Sequence, residues 1–120
     1  MALSATTRTV GNVTVVNLSG PIIFGDESAY LRSLVKDLLK QSAQIVLDLG
    51  EVSYIDSGGL GTLVGLYASA HRAGGDIRLA RVGPRPNEVL HITKLVTLFE
   101  VFDNTEDAIS SFKRATAAQR

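Results

Sequence analysis

Apolar residues along the chain follow two different spacings, and the change from one to the other predicts alternating strands and helices. The continuous apolar run from Ile45 to Leu49 is typical of a buried strand. The apolar-rich segment 13–18 follows the pair Gly11-Asn12, which suits a two-residue turn and so predicts a hairpin. The predicted strands cover residues 9–10, 13–18, 45–49, 77–82 and 98–102.

Between these strands, apolar residues recur three and four positions apart, which is the spacing of one helical face. Glycine and proline separate the elements, and Gly20-Pro21 is expected to end the second strand. Residues that suit a helix N-cap or first turn precede each helical segment. Asp26 is the predicted N-cap of the first helix. The second and third helices are predicted over residues 57–73 and 86–93, and the fourth follows the capping segment 103–105.

The resulting order, β β α β α β α β α, predicts a single α/β domain over residues 1–120. Strand–helix–strand units imply parallel pairing through right-handed crossovers, while the amino-terminal hairpin adds an antiparallel edge. We therefore expect a mixed, mostly parallel sheet of four or five strands with about four helices. Residues from about 113 to 120 are expected to form a frayed tail.

Composition narrows the classes of function. The 12 basic residues balance the 12 acidic ones, so the surface is not of the kind that binds nucleic acid. The sequence has no run of 18 apolar residues that would insert into a membrane, and its amino end lacks the regions of a signal peptide. The absence of cysteine excludes disulfides and thiolate metal sites. We expect a cytoplasmic domain.

The chain offers little catalytic chemistry. His71 and His91 each lack a second histidine at helical spacing, so we expect no metal site, and both are interpreted as hydrogen-bonded, partly buried residues. Ser57 lacks the Gly-x-Ser-x-Gly pattern of a nucleophile elbow. The sequence therefore predicts a protein that is not an enzyme and has no cofactor.

The most informative segment is the junction at which the buried strand gives way to a glycine-rich helix start. Ser57 follows Asp56 there, where free backbone N–H groups and the positive end of the helix dipole favour negative charge. A phosphate on Ser57 would be supported at this position. Two alternatives remain open: Ser57 or Asp56 is a plain N-cap, or the glycines bind a nucleotide phosphate, although their spacing matches neither standard phosphate-binding motif.

The second helix also has an outward side with few side chains. If Leu60, Leu63, Val64 and Tyr67 face inward, a smooth strip lies opposite them, bordered by Thr62 and Leu66 and composed of Gly58, Gly61, Gly65, Ala68, Ser69 and Arg72. Each interior glycine costs about 0.5–1 kcal/mol relative to alanine, so such a strip is unusual as mere surface. It predicts close approach of a partner protein or, alternatively, of another segment of the same domain.

The motif around Ser57 resembles that of a known family. Val46-Leu47-Asp48-Leu49, followed by residues 52–61 with their core Asp56-Ser57-x-Gly59-Leu60-Gly61, is similar to the signature of bacterial anti-sigma factor antagonists, part of the STAS group of sulfate transporters and anti-sigma antagonists. Further likeness lies at residues 18–20, 73–75 and 98–102.

The resemblance implies a function in transcription regulation by partner switching. Ser57 would accept phosphate, with Asp56 as its charged neighbour, from a serine protein kinase that is also the anti-sigma factor. The unphosphorylated antagonist would bind this kinase, the phosphorylated form would release it, and a phosphatase would reset the switch. The partner contacts would then come from Gly58, Gly61, Thr62, Gly65, Leu66 and Ser69.

Two departures from the family pattern affect the identity of the partner. Pro21-Ile22-Ile23-Phe24 stands where antagonists often carry acidic residues, and Gly58 replaces a second serine. We expect Ile22, Ile23 and Phe24 to form a second contact loop, either for an apolar partner surface or for a homodimer. The alternative function is a constitutive STAS scaffold in a signalling complex or lipid transporter, not switched by phosphate.

Overall fold

The computed structural model describes residues 2–118, which form one five-stranded sheet flanked by helices. The strands are β1 (Ser4–Val10), β2 (Val13–Ile22), β3 (Gln44–Ile55), β4 (Asp76–Ala80) and β5 (Val101–Phe102). The helices are α1 (Asp26–Leu39), α2 (Ser57–Arg72), α3 (Pro84–Ile92) and α4 (Thr105–Ala118), with a 3-10 turn at Leu95–Thr97. These elements confirm the predicted α/β class, the strand number and the helix number.

The strands lie in the sheet in their order along the chain, β1-β2-β3-β4-β5. Only β1 is antiparallel to its neighbour, so the mostly parallel sheet with an antiparallel edge is confirmed. The hairpin turns at Gly11, whose φ of 60° suits glycine. Its first strand begins at Ser4, earlier than predicted, because an exposed edge strand need not carry the apolar alternation that marks a buried one.

Helices cover both faces of the sheet. Crossovers of one hand that advance in one direction place their helices on the same face, and α1, α2 and α3 all pack there. Alternate residues of the strands face α4 on the other side, so neighbours such as Val46 and Leu47 belong to different cores. The smaller core joins Val13, Val15, Val46 and Ala80 to Ala108, Ile109 and Phe112 of α4.

Strands β2 and β3 extend beyond the rest of the sheet. The last β3 residue paired with β4 is Asp48, whereas β3 remains paired with β2 as far as Ile55. The prediction that Gly20-Pro21 ends β2 is wrong, because β1 pairs only as far as Ser19 and a proline is tolerated where no further strand needs its N–H group. The extension carries the chain towards Asp56.

Several element ends differ from the prediction. The prediction that Asp26 caps α1 is wrong, because Asp26 is the first residue of the helix and Gly25 occupies the N-cap position. The last strand is only Val101–Phe102, because the chain leaves the 3-10 turn through a bend that buries Phe99 in the core. Helix α4 continues to Ala118, so the backbone is helical over much of the expected tail; residues 119–120 of that prediction lie outside the described residues.

His91 lies at the surface, so the prediction of partial burial is wrong for it, whereas the His71 side chain is half-buried, with 48% of its surface exposed. The Nε2 atom of His71 lies 2.9 Å from Asp76 Oδ1, and its ring centroid is 4.2 Å from that of Tyr67. The hydrogen bond that was expected for His71 is present, but on the outside of α2. None of the helices within residues 2–118 is long and apolar enough to cross a membrane.

Candidate functional site

Asp56 connects three parts of the chain at the junction of β3 and α2. Its Oδ1 atom accepts a hydrogen bond from the backbone N–H of Gly59 at 2.7 Å, which makes Asp56 the N-cap of α2. The same carboxylate accepts from the backbone N–H of Phe24, at 3.1 Å to Oδ1 and 3.2 Å to Oδ2. Asp56 therefore both caps the helix and holds the loop between β2 and α1.

Ser57 is the first residue of α2 and is exposed. Across residues 2–113, whose side chains the structure describes, its hydroxyl makes no hydrogen bond to the protein. Of the two residues that could have capped the helix, Asp56 is the one that does. The Ser57 hydroxyl is thus not needed for the fold, and it lies at the helix N-terminus where a negative group is favoured.

Gly59 is required by close packing of two backbones. A Cβ atom at this position would lie 1.9 Å from the carbonyl oxygen of Ile22, at the end of β2. Gly58 is also covered, since a Cβ atom there would lie 2.5 Å from the Cβ atom of Phe24. These two glycines let the end of β2 and the following loop approach the start of α2. Packing within the chain explains them without a nucleotide.

Gly61 and Gly65 differ from Gly58 and Gly59. Both are exposed, and apart from the adjacent residues and the backbone of α2 itself, a Cβ atom at either would meet no described atom within 4 Å. The hypothesis that another segment of the domain packs on this strip is therefore wrong for these two positions within the described part of the chain. Each of these two glycines destabilises the helix by about 0.5–1 kcal/mol relative to alanine, and no contact with the described residues requires a glycine at either position.

The orientation of α2 corrects two predicted contact residues. Thr62 and Leu66 are buried, at 5% and 3% exposure, whereas Val64 is 37% exposed. The inward face is formed by Gly59, Thr62, Leu63, Leu66 and Ala70. The positions of the apolar residues alone predict the wrong buried face. Gly59 has to pack against β2, and the hydroxyl of a buried threonine can form a hydrogen bond within its own helix. The Thr62 hydroxyl donates to the carbonyl oxygen of Gly58 at 3.0 Å.

The predicted contact loop is also smaller than expected. Ile22 is completely buried as the last residue of β2, and Ile23 is partly buried. Only Phe24 projects outward, with 80% of its surface exposed. Ile22 belongs to the core because its side chain follows the strand alternation that directs Leu18 inward. Ser69 is partly buried, and its Oγ atom accepts a hydrogen bond from Arg72 Nη2 at 3.1 Å.

A groove of about 410 Å³ between α1 and α2 combines the two predicted contact regions. It is lined by Phe24, Gly25, Ser28, Arg32, Gly58, Gly61, Thr62 and Gly65. Arg32 is a functional candidate that the sequence did not indicate. It lies outside the apolar stripe of α1, together with other charged residues, and such a position is typical of an ordinary solvent-exposed residue. The signal that could have identified it is the crossover rule, which places α1 and α2 side by side.

The geometry agrees with comparisons with known proteins. The STAS domain model matches residues 4–108. The anti-sigma F factor antagonist of Paenibacillus polymyxa is 27% identical over 103 residues, which cover 84% of this chain and 87% of that protein. The anti-sigma-B factor antagonist of Bacillus subtilis is 30% identical over 94 residues, which cover 78% of this chain and 85% of that protein.

A solved structure supports the same assignment at the level of the fold. The Bacillus cell fate determinant SpoIIAA in its phosphorylated form gives a TM-score of 0.71 at 18% identity, covering 91% of this chain and 99% of that one. The family match over residues 4–108 includes all five strands as well as the Asp56–Ser57 junction. The resemblance of the motif is confirmed, and the chain belongs to the STAS domain family.

Proposed function

We propose that this domain is an anti-sigma factor antagonist whose binding is controlled by phosphorylation of Ser57. The observation that carries the proposal is the exposed Ser57 hydroxyl, which makes no hydrogen bond within residues 2–113 and lies between Asp56 and the open glycine positions of α2. The names of the relatives support the same function. In this proposal the domain is a cytoplasmic binding module without catalytic activity and regulates transcription.

The contact surface of the proposal is the groove with its two open glycines. Gly61 and Gly65 would let the backbone of an anti-sigma factor, itself a serine kinase, approach α2 closely. Phe24 would add an aromatic contact at the rim, of the kind that often dominates protein interfaces. Thr62 would contribute only its hydroxyl at the groove wall, and neither Leu66 nor Ile22 would contribute, because both are buried.

Phosphorylation would remove this contact without unfolding the domain. A phosphate adds about −1.5 to −2 charge at neutral pH, and the N-terminus of α2 can accommodate it. Asp56 lies next to it and already carries a carboxylate, so the local density of negative charge would rise. An interface formed around a neutral hydroxyl would then lose affinity through repulsion and through the cost of removing water from the phosphate. A phosphatase would restore binding.

The test is phosphorylation by the cognate kinase with ATP, followed by measurement of affinity. We expect one phosphate per chain, mapped to Ser57 by mass spectrometry, and none on Ser57→Ala. Ser53→Ala is the matched control, since Ser53 is an exposed serine four residues away on β3. Equal phosphorylation of Ser57→Ala and the parent would show that the site is wrong.

A constitutive scaffold is the second candidate, and the exposure of Phe24 favours it. An 80% exposed phenylalanine in place of the acidic loop of many antagonists would suit a permanent apolar contact with a signalling complex, a transporter or a second copy of the chain. The two functions differ in their response to charge at Ser57. The scaffold predicts that Ser57→Asp binds its partner normally, whereas the switch predicts a large loss of affinity.

A further inference from the structure

We propose that Arg32 is a specificity residue of the partner surface and that the groove between α1 and α2 receives an Asp or Glu side chain of the kinase. This inference rests on the proposed function, because it takes the anti-sigma factor kinase as the occupant of the groove. It adds the chemistry that selects the occupant: a carboxylate of the kinase would pair with Arg32, and an apolar residue of the kinase would contact Phe24.

Arg32 is held in position by one contact across the groove. Its Nη1 atom donates to the hydroxyl oxygen of Thr62 at 3.2 Å, which links α1 to α2. The Thr62 hydroxyl is itself held by the carbonyl oxygen of Gly58. A guanidinium has five N–H donors in a planar fork, so this single bond leaves most of them available.

Arg32 differs from the arginines that the protein neutralises itself. Arg78 forms ion pairs with Asp76 at 3.1 Å and Glu100 at 3.2 Å, and Arg81 forms one with Asp48 at 3.2 Å. For Arg32, by contrast, residues 2–118 supply no carboxylate oxygen within 4.0 Å. Its charge therefore remains available to a group from outside the chain.

The other groups that line the groove favour the same occupant. Arg32 is the only charged residue among the eight lining residues, four of which are glycines. Of the hydroxyls, Ser28 already donates to the carbonyl oxygen of Ile23 at 2.6 Å. An incoming carboxylate would meet one cation and no acidic residue among those that line the groove, and it could accept two parallel hydrogen bonds from the guanidinium fork. A basic side chain would be repelled.

Phe24 supplies the second half of the recognition. It lines the groove and is the most exposed large apolar residue of the described chain, and its backbone is fixed by Asp56. Aromatic residues, including phenylalanine, and arginine are enriched at protein interfaces relative to the rest of the surface. We infer that the kinase segment carries an acidic residue with an apolar residue nearby, seated on Arg32 and Phe24 respectively.

The first experiment measures the affinity of the unphosphorylated domain for its purified kinase. Truncation of one partner of a desolvated, hydrogen-bonded charge pair leaves the other charge unpaired, so we expect Arg32→Gln to bind at least about thirtyfold more weakly. Arg32→Glu should be weaker still, and Arg32→Lys should retain part of the affinity. The matched control is Arg85→Glu, a charge reversal at an exposed arginine on α3, which should bind like the parent.

The second experiment identifies the partner carboxylate directly. Carbodiimide couples an amine to a carboxylate in contact with it, so the complex of the Arg32→Lys variant should give an amide cross-link between position 32 and an Asp or Glu of the kinase. The Arg85→Lys complex should give none from position 85. If the Arg32→Lys complex forms but yields no cross-link at position 32, the groove does not hold a carboxylate and the inference is wrong.

The Arg32 variants also separate this inference from the proposed function. Normal binding by Arg32→Glu together with lost binding by Ser57→Asp would overturn the role of Arg32 and leave the phosphorylation switch intact. Normal binding by both variants would overturn the switch as well. If Arg32 instead held the phosphate of Ser57, Arg32→Gln would leave binding of the unphosphorylated domain unchanged, which would contradict the inference.

Discussion

The carboxylate of Asp56 accepts a hydrogen bond from the backbone N–H of Phe24 at 3.1 Å, although 32 positions separate the two residues in the sequence. Because the same carboxylate caps α2 through Gly59, one side chain holds both the helix that begins at Ser57 and the loop that presents Phe24. The proposed phosphorylation site and the most exposed aromatic residue are thereby parts of one surface.

Removal of the Asp56 carboxylate should destabilise the domain. Loss of an N-cap side chain costs about 0.5–2 kcal/mol, and we expect the upper part of this range for Asp56→Ala, because the loop at Phe24 loses its acceptor too. Asp56→Asn keeps a carbonyl oxygen and should cost less. Urea unfolding of both variants measures the difference. Ser57→Ala should unfold like the parent, because the Ser57 hydroxyl makes no hydrogen bond to the side chains and backbone described for residues 2–113.

Two alanine substitutions in α2 should have opposite effects on stability. Gly59→Ala places a Cβ atom 1.9 Å from the Ile22 carbonyl oxygen and should lower the free energy of unfolding by about 3 kcal/mol. Gly61→Ala meets open space among the described residues and should raise it by about 0.5–1 kcal/mol. Thermal and urea unfolding are the measurements. A destabilised Gly61→Ala would contradict the open surface at this position.

Gly65→Gln should separate stability from binding. The exposed side chain enters open space on α2, so the free energy of unfolding should rise or stay constant. The same side chain would keep a partner backbone away and reduce affinity for the kinase by about tenfold or more. Ala73→Gln, at the exposed C-cap of α2 outside the groove, is the control and should bind normally. Calorimetry measures both affinities.

Phe24→Ala should affect binding alone. A side chain that is 80% exposed contributes little to the core, so the free energy of unfolding should change by no more than about 0.5 kcal/mol. Ile92→Ala is a matched control, since Ile92 is 73% exposed but lies on α3. Only Phe24→Ala should weaken the complex with the kinase. Equal affinity of the two variants would remove Phe24 from the proposed interface.

Asp48→Ala should be among the more damaging substitutions in the sheet. Asp48 is 3% exposed and accepts hydrogen bonds from Asn17 at 2.7 Å, the backbone of Gly50 at 2.8 Å and Arg81 at 3.2 Å. Breaking a buried charge pair costs about 3–5 kcal/mol, and we expect the lower end because Arg81 is half exposed. Asp48→Asn, which keeps one oxygen, should cost less in urea unfolding.

Local patterns in the sequence predict much of this domain correctly. The apolar run of β3, the hairpin turn at Gly11 and the helical spacing of α2 each involve neighbours along the chain, so they can be recognised without tertiary contacts. The order of these elements then restricts the sheet to a mostly parallel arrangement, since short right-handed crossovers leave few alternatives. The errors fall at element ends, such as Gly20-Pro21, where the presence or absence of a neighbouring strand decides the outcome.

Residue spacing along the chain is enough to place Asp56 and Ser57 where a buried strand meets a helix start, because both elements are encoded locally. Contacts between distant elements establish which helix face is buried, which glycines are packed and which are open, and that Arg32 and Phe24 line one groove. Those properties depend on contacts between β2, α1 and α2, whose residues are far apart in the chain. No periodicity within one element contains that information, because the buried face of a helix is defined by what packs against it.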